Sequence, residues 1–181
     1  VFIPSYSMHP LIAQAVGVKF HLGKRDKEFN LDLQSAVLQI KKVKPALVFI
    51  TTPNNPTGSA LNISEIEQLA RATRDVNGLL IVDEAYAEFS KENSAITLIK
   101  EFPNVIVSRT MSKAFAFAGA RLGYLAADKL VVEAIQLVRL PYHLSALTQA
   151  AAEVALEFKD ELLAEVKRLS INRDRLTKEL I

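Results

Sequence analysis

A chain of 181 residues, half of them hydrophobic, can bury one sizeable core, so one domain or the major part of one is expected. Its 22 basic and 20 acidic residues leave a formal charge of +2, too small for the broad positive field that attracts nucleic acid or an anionic membrane. The lack of cysteine excludes disulfide scaffolding, thiolate metal sites and cysteine nucleophiles, and His9, His21 and His143 stand too far apart for a metal-ligand motif.

The chain opens on Val1-Phe2-Ile3-Pro4, an apolar strand-like run without an initiator Met, and closes on Leu180-Ile181 inside an unfinished helical pattern. It reads as an internal portion of a longer chain. No apolar run approaches the roughly eighteen residues of a spanning helix, and no signal series opens the chain, so a soluble, cytoplasmic protein is expected. Apolar runs bounded by turns follow at Val16-Leu22, Ala46-Thr51, Leu79-Val82, Val105-Ser108 and Leu122-Ala126. With few charges inside them, they read as strands covered on both faces, as in a mainly parallel sheet.

Amphipathic stretches lie between the runs. Asp32 to Lys42 gathers Leu33, Val37 and Ile40, and Ser64 to Val76 gathers Ile66, Leu69, Ala70 and Thr73. Ser64 with Glu67 reads as a capping box, and Asn77-Gly78 as a left-handed stop. Lys41-Lys42-Val43-Lys44 reads as a solvated helix end. From Ser145 a helical pattern without Gly or Pro runs to the end. At well over about 25 residues it reads as two helices meeting near Phe158-Lys159-Asp160, the second leading toward a small domain absent from this chain. The division is therefore 1–157 for a large-domain portion and 158–181 for the helix that leaves it. Strand and helix alternation gives an α/β layered domain.

Three segments carry chemistry. In Thr51-Thr52-Pro53-Asn54-Asn55-Pro56-Thr57-Gly58 two prolines and a glycine stiffen a turn that presents a polar side chain at the carboxyl end of a sheet. Asn55 taken alone also reads as a turn asparagine bonding its own backbone. Leu80-Ile81-Val82-Asp83-Glu84-Ala85-Tyr86 drives a buried strand into a carboxylate, which needs a partner. A protonated heteroaromatic nitrogen is one partner for Asp83; capping the next helix is the alternative, while Glu84 reaches a backbone or supporting group. An Asp-Glu pair at a strand end also suits a magnesium-dependent hydrolase, but no glycine-rich phosphate loop accompanies it. Finally, Val107-Ser108-Arg109-Thr110-Met111-Ser112-Lys113 sets a lysine among hydroxyls, with Arg121 eight residues further on. Lysine condenses reversibly with an aldehyde, and hydroxyls with a guanidinium suit a phosphate dianion. That combination points to pyridoxal phosphate.

Asn54-Asn55-Pro56-Thr57-Gly58, Asp83-Glu84-Ala85-Tyr86 and Ser112-Lys113 followed by Arg121 resemble the ordered signature of the fold-type I pyridoxal-phosphate aminotransferases. The resemblance implies a three-layer α/β large domain with a mainly parallel mixed sheet, incomplete at both ends. It implies that Lys113, Asp83 and Tyr86 are catalytic, and that pyridoxal 5'-phosphate is held by Tyr6, Asn55, Asp83, Tyr86, Thr110, Ser112, Lys113 and Arg121, with no metal. Tyr6 would stack on the cofactor ring, although by itself it reads as a core tyrosine.

Pro4-Ser5-Tyr6-Ser7-Met8, Arg109-Thr110-Met111-Ser112-Lys113-Ala114-Phe115, Gly119-Ala120-Arg121-Leu122-Gly123-Tyr124 and Arg139-Leu140-Pro141-Tyr142-His143-Leu144-Ser145 are similar to the histidinol-phosphate aminotransferase branch and its aromatic-substrate relatives. That branch implies amino transfer between L-histidinol phosphate and 2-oxoglutarate in histidine biosynthesis, by a homodimer that contacts neither nucleic acid nor membrane. Aromatic amino acid transamination is one alternative, and a non-catalytic cofactor-sensing domain of a transcription regulator is another. The branch's upstream phosphate-binding turn, partner-subunit tyrosine and downstream carboxylate-binding arginine have no counterpart in this sequence.

Overall fold

The computed structural model describes residues 1–180. Its centre is a four-stranded sheet whose strands lie side by side in chain order: β3 (Leu47–Thr51), β4 (Leu79–Asp83), β5 (Val105–Thr110) and β6 (Gly123–Ala126). The first three are parallel and β6 runs antiparallel to β5, so the sheet is mixed and mainly parallel, as the alternating pattern predicts. A separate parallel pair joins β1 (Phe2–Ile3) to β2 (Gly23–Lys24).

The core forms where the apolar runs of β3 to β5 meet two helices. From the strands come Ile50, Leu80, Val82, Val105 and Val107; Ala36 and Ile40 come from α2 (Leu33–Val43), and Ile66, Leu69 and Ala70 from α3 (Ile63–Arg74). Leu69, Leu80, Val82 and Val105 are completely enclosed, each worth about 1.5–3 kcal/mol of transfer free energy before chain entropy is counted. The helix α3 starts two residues earlier than its sequence suggests. Asn62 is the cap: its Oδ1 accepts from Glu65 N at 3.0 Å, and the Glu65 carboxylate accepts from Asn62 N at 2.8 Å. Ser64 instead donates its hydroxyl to Asn62 Oδ1, and Glu67 pairs with Arg71 one turn on. A carboxamide at the strand-like φ/ψ of a cap outcompetes a hydroxyl already inside the first turn. The expected stop holds, with Asn77 left-handed at φ 59° and Gly78 N bonded to Thr73 O.

Two strand expectations need correction. Val16-Leu22 forms no strand, and Val16, Val18, Phe20 and Leu22 are all exposed, because pairing with the two-residue β1 begins only at Gly23. A Cβ at Gly23 would lie 2.3 Å from the Phe2 ring, so the close approach that starts β2 requires glycine. The run ending in β6 is not covered on both faces either: Tyr124 and Leu125 are exposed.

Beyond the sheet come α4 (Lys129–Val138), α5 (Ala146–Glu157) and α6 (Lys159–Leu180), the last two breaking at Phe158 as the pattern predicts. Ser145 caps α5 by accepting from Thr148 N. This region leaves large apolar side chains in the open, among them Leu137 on α4 and Leu140 and Tyr142 in the loop between α4 and α5. The α6 helix returns to the sheet's carboxyl edge, against a 3-10 turn at Ala87–Phe89. No described helix is long and apolar enough to cross a membrane.

Candidate active site

Parallel strands end their chemistry on one side of a sheet. In register, Thr51 lies opposite Asp83 and Asp83 opposite Ser108, so the turns after β3, β4 and β5 open onto the same edge. A cavity of about 320 Å³ sits there, lined by every residue singled out in the sequence: Tyr6, Asn55, Asp83, Tyr86, Thr110, Ser112, Lys113 and Arg121.

Asp83 forms one wall. Its Oδ1 accepts from Ala85 N at 3.1 Å, a bond within the turn and not the helix cap offered as the alternative, since Tyr86 precedes the next helical turn and no side chain caps it, while Oδ2 lies 3.3 Å from His9 Nε2. His9 escapes sequence reasoning because its partner is remote in the chain. Only its position three residues after Tyr6, at the start of α1 (Met8–Ala15), hints that the two share a face. They do share one: the rings meet edge-on with centroids 5.4 Å apart, and the imidazole lies against Phe49 on its other side. Tyr6 is 43% exposed and lines the cavity, which overturns the reading of it as a core tyrosine.

Opposite lies the lysine. Lys113 Nζ sits 5.4 Å from the centre of the Tyr86 ring, and Tyr86 Oη accepts from Asn55 Nδ2 at 3.4 Å. Asn55 thus faces the pocket rather than its own backbone. The hydroxyls of Thr110 and Ser112 are bonded at 3.0 Å, and Thr110 Oγ1 also accepts from Ser112 N. Arg121 completes this end from a left-handed backbone at φ 56°, rare for a side chain with a Cβ; its Nη1 donates to Ala118 O. One amine, one carboxylate, a paired amide and phenol, and a hydroxyl pair beside a guanidinium therefore converge on one volume.

Behind the pocket, Glu84 is buried and receives four donors: Ser94 Oγ and Ala95 N at 2.7 Å each, and Arg109 Nε and Nη2 at 3.0 and 2.7 Å. Arg109 also reaches Glu88 at 3.2 Å. Burial alone would lower the Arg109 pKa, but the Glu84 bonds and the charges of Glu84 and Glu88 outweigh it and hold the guanidinium above its ordinary range. This clamp ties the end of β4 to β5 just ahead of Thr110. The supporting role expected of Glu84 is what the geometry shows, whereas Arg109 was not singled out as its partner.

Comparison with known proteins follows this geometry. A family model described as aminotransferase class I and II matches residues 1–181. The histidinol-phosphate aminotransferase of Thermobifida fusca is 54% identical over 177 residues, covering 97% of this chain and 47% of that protein. That of Nocardia farcinica is 52% identical over 180 residues, covering 99% and 46%. Among solved structures, histidinol-phosphate aminotransferase from Clostridium acetobutylicum superposes with a TM-score of 0.89 at 25% identity, covering 99% of this chain and 54% of that one. The enzyme from Sinorhizobium meliloti, in complex with pyridoxal-5'-phosphate, gives 0.88 at 27% identity, covering 97% and 48%. The chain spans about half the length of the curated relatives it matches.

Proposed function

The chain belongs to the aminotransferase class I and II family, and we propose that it supplies the cofactor-binding part of an enzyme exchanging an amino group between L-histidinol phosphate and 2-oxoglutarate. The observation that carries the reading is the convergence of Lys113, Asp83, Asn55, Tyr86 and Arg121 on one cavity. That donor set fits pyridoxal 5'-phosphate. Asn55 and Tyr86, 3.4 Å apart, can serve a single phenolic oxygen; Asp83 suits a protonated ring nitrogen, and Tyr6 offers a flat face. Thr110, Ser112 and Arg121 present hydroxyls and a guanidinium to a phosphate.

When bound, the cofactor supplies an aldehyde for the migrating nitrogen and a ring that accepts electrons from the substrate carbon. The remaining work falls to side chains of this chain. The Lys113 amine would hold the cofactor and, when free, would act as the base that takes the proton from the donor's Cα. The Asp83 carboxylate would pair with the protonated ring nitrogen. Tyr86 and Asn55 fix the ring's orientation, with Tyr86 lying against the lysine that moves the proton.

The substrate assignment rests on relatives such as those of Thermobifida fusca and Nocardia farcinica, both above half identity and both histidinol-phosphate aminotransferases. In a full-length protein carrying this chain, kcat/KM for L-histidinol phosphate should exceed that for phenylalanine and tyrosine, because specificity is differential transition-state binding. A preference for phenylalanine would make it an aromatic amino acid aminotransferase, and binding of cofactor without turnover would favour a sensing domain. Replacing Lys113 by Ala should abolish the borohydride-trapped adduct of protein and cofactor; an adduct of equal yield in that variant would remove the lysine assignment.

The same proposal has this chain work as a cytoplasmic homodimer, with α6 leading toward a small domain from the break at Phe158. Support for the dimer comes from Leu140 and Tyr142, which are 73% and 97% exposed beside Arg139 and Pro141. Sedimentation of the full-length protein with cofactor should give twice the protomer mass, and a fully active monomer would exclude the dimer.

A further inference from the structure

We propose that Asn54, the neighbour of Asn55, is a positioning residue that locks the turn carrying Tyr6 to the turn carrying Asn55, so that two walls of the pocket move as one body. The proposal rests on the cofactor reading above. Asn54 is only 3% exposed and does not line the Lys113 cavity. All its polar groups are nevertheless engaged. Its Oδ1 accepts from Ser5 Oγ at 2.7 Å, and its Nδ2 donates to Pro4 O at 3.0 Å and to Thr57 Oγ1 at 2.7 Å. Its backbone N donates to Ser59 O and its carbonyl accepts from Gly58 N, both at 2.8 Å. Gly58 sits at φ 74°, the left-handed conformation that lets the turn close on Asn54.

These bonds join segments far apart in sequence. Pro4-Ser5 immediately precedes Tyr6, and Asn54 immediately precedes Asn55. One carboxamide therefore spans the last link before the ring-facing phenol and the last link before the amide that meets Tyr86. Ser5 Oγ also reaches Thr51 Oγ1 at 3.1 Å, anchoring the same link to the end of β3. On the far side the chain of polar groups continues from Thr57 to Ser59 at 2.8 Å, and Ser59 meets Phe29 O and Arg25 Nη1. The Arg25 pKa is lowered by its burial, against the pull of Asp26. The carboxamide at its centre is buried and has every polar group bonded, and a node of this kind stiffens what it connects. A carboxylate at residue 54 keeps the volume and the Ser5 acceptor but loses both donors, facing Pro4 O with a negative charge instead.

The test uses the full-length holoenzyme and four variants: Asn54→Asp, Ser5→Ala, Tyr6→Ala, and Asn54→Asp combined with Tyr6→Ala. The readouts are kcat, KM and the visible circular dichroism of bound cofactor, which reports ring orientation independently of turnover. Asn54→Asp should lower kcat about tenfold or more with KM for the donor changed far less, and it should diminish the dichroic band. Ser5→Ala, which leaves the Asn54 donors in place, should shift both readouts in the same direction by less. In the Tyr6→Ala background the Asn54→Asp loss should shrink, because the aromatic wall it positions is gone. Unchanged dichroism and kcat in both Asn54→Asp and Ser5→Ala, or full additivity of Asn54→Asp with Tyr6→Ala, would overturn the positioning role. If Asn54→Asp does not fold, Ser5→Ala alone decides by the same two readouts. A wild-type protein with no induced dichroism on adding pyridoxal phosphate would instead refute the cofactor reading.

Discussion

Asp83 and Glu84 are consecutive carboxylates at the end of one buried strand, and the two sides of that strand end treat them differently. On the back, Glu84 is 3% exposed and takes four donors from Ser94, Ala95 and Arg109. On the pocket side, Asp83 has one turn amide at 3.1 Å and one imidazole nitrogen at 3.3 Å, and its remaining capacity faces the cavity. Sign of charge is the same in both, and neither side chain is more than 14% exposed. Donor saturation is what separates them. A carboxylate whose acceptor sites are filled by the protein holds the fold, whereas one left short of donors beside a cavity is available to a cationic group.

The largest expected effect tests the pocket side. Asp83→Asn is isosteric and keeps an acceptor for Ala85 N, so stability should change by less than about 1 kcal/mol, while kcat/KM of the full-length protein falls by about 10³-fold. Steady-state kinetics and thermal unfolding on one preparation separate the two. A variant as destabilised as one lacking Glu84 would break the comparison.

The back side should answer in the other currency. Glu84→Ala leaves Arg109 and the buried Ala95 N–H without their main acceptor, at a cost of about 3 kcal/mol. The lower end of the range for a broken buried pair applies because Arg109 is 24% exposed and retains Glu88. Urea unfolding should show a lower midpoint with an unchanged slope. Glu84→Gln, which keeps one acceptor oxygen, should fall between wild type and Ala.

The comparison also explains what could be read in the chain. The strands β3, β4 and β5 were legible because each is a short apolar run, and the pocket residues were legible because each stands in a local motif: Asn55 before Pro56, Asp83 at the end of β4, Lys113 after Ser112. The Val16-Leu22 run misled because hydrophobicity alone does not say whether a partner strand is long enough to pair with it. His9, Arg109 and Asn54 were hidden for a different reason. Each is defined by partners remote in sequence, His9 by Asp83, Arg109 by Glu84 and Asn54 by Ser5, and no local spacing encodes such a contact. What a motif contains is visible in the chain; what supports it is visible only once the chain is folded.

A smaller effect extends the rule to an uncharged acceptor. Asn62 Oδ1 accepts from both Glu65 N and Ser64 Oγ, at 3.0 and 2.6 Å, so it is saturated at the surface as Glu84 is inside. Asn62→Ala should cost about 1 kcal/mol, and Ser64→Ala less than about 0.5 kcal/mol. Equal losses in chemical denaturation would restore Ser64 as the cap.

The smallest effect concerns Asp32, a carboxylate bonded by its own helix but open to water. Its Oδ2 accepts from Ser35 Oγ at 2.7 Å and its Oδ1 from Ser35 N at 3.1 Å. The hydroxyl bond first, and the amide bond after it, hold its pKa below the ordinary carboxylate value despite slight opposition from desolvation. A folded-state pKa below the unfolded one means that the contribution is fully present above the unfolded value of about 3.9 and is lost as pH falls through the folded value. Asp32→Asn keeps a cap acceptor while deleting the charge beside the amino end of α2, so the difference between wild type and variant isolates the ionised form. That difference, read from urea midpoints, should stay flat from about pH 7 to pH 5 and shrink below about pH 4. Salt should weaken it, because the group is exposed and screened. A difference that widened toward acid would mean that the protonated form is the better cap, and the two Ser35 bonds would then not be what favours the ionised carboxylate.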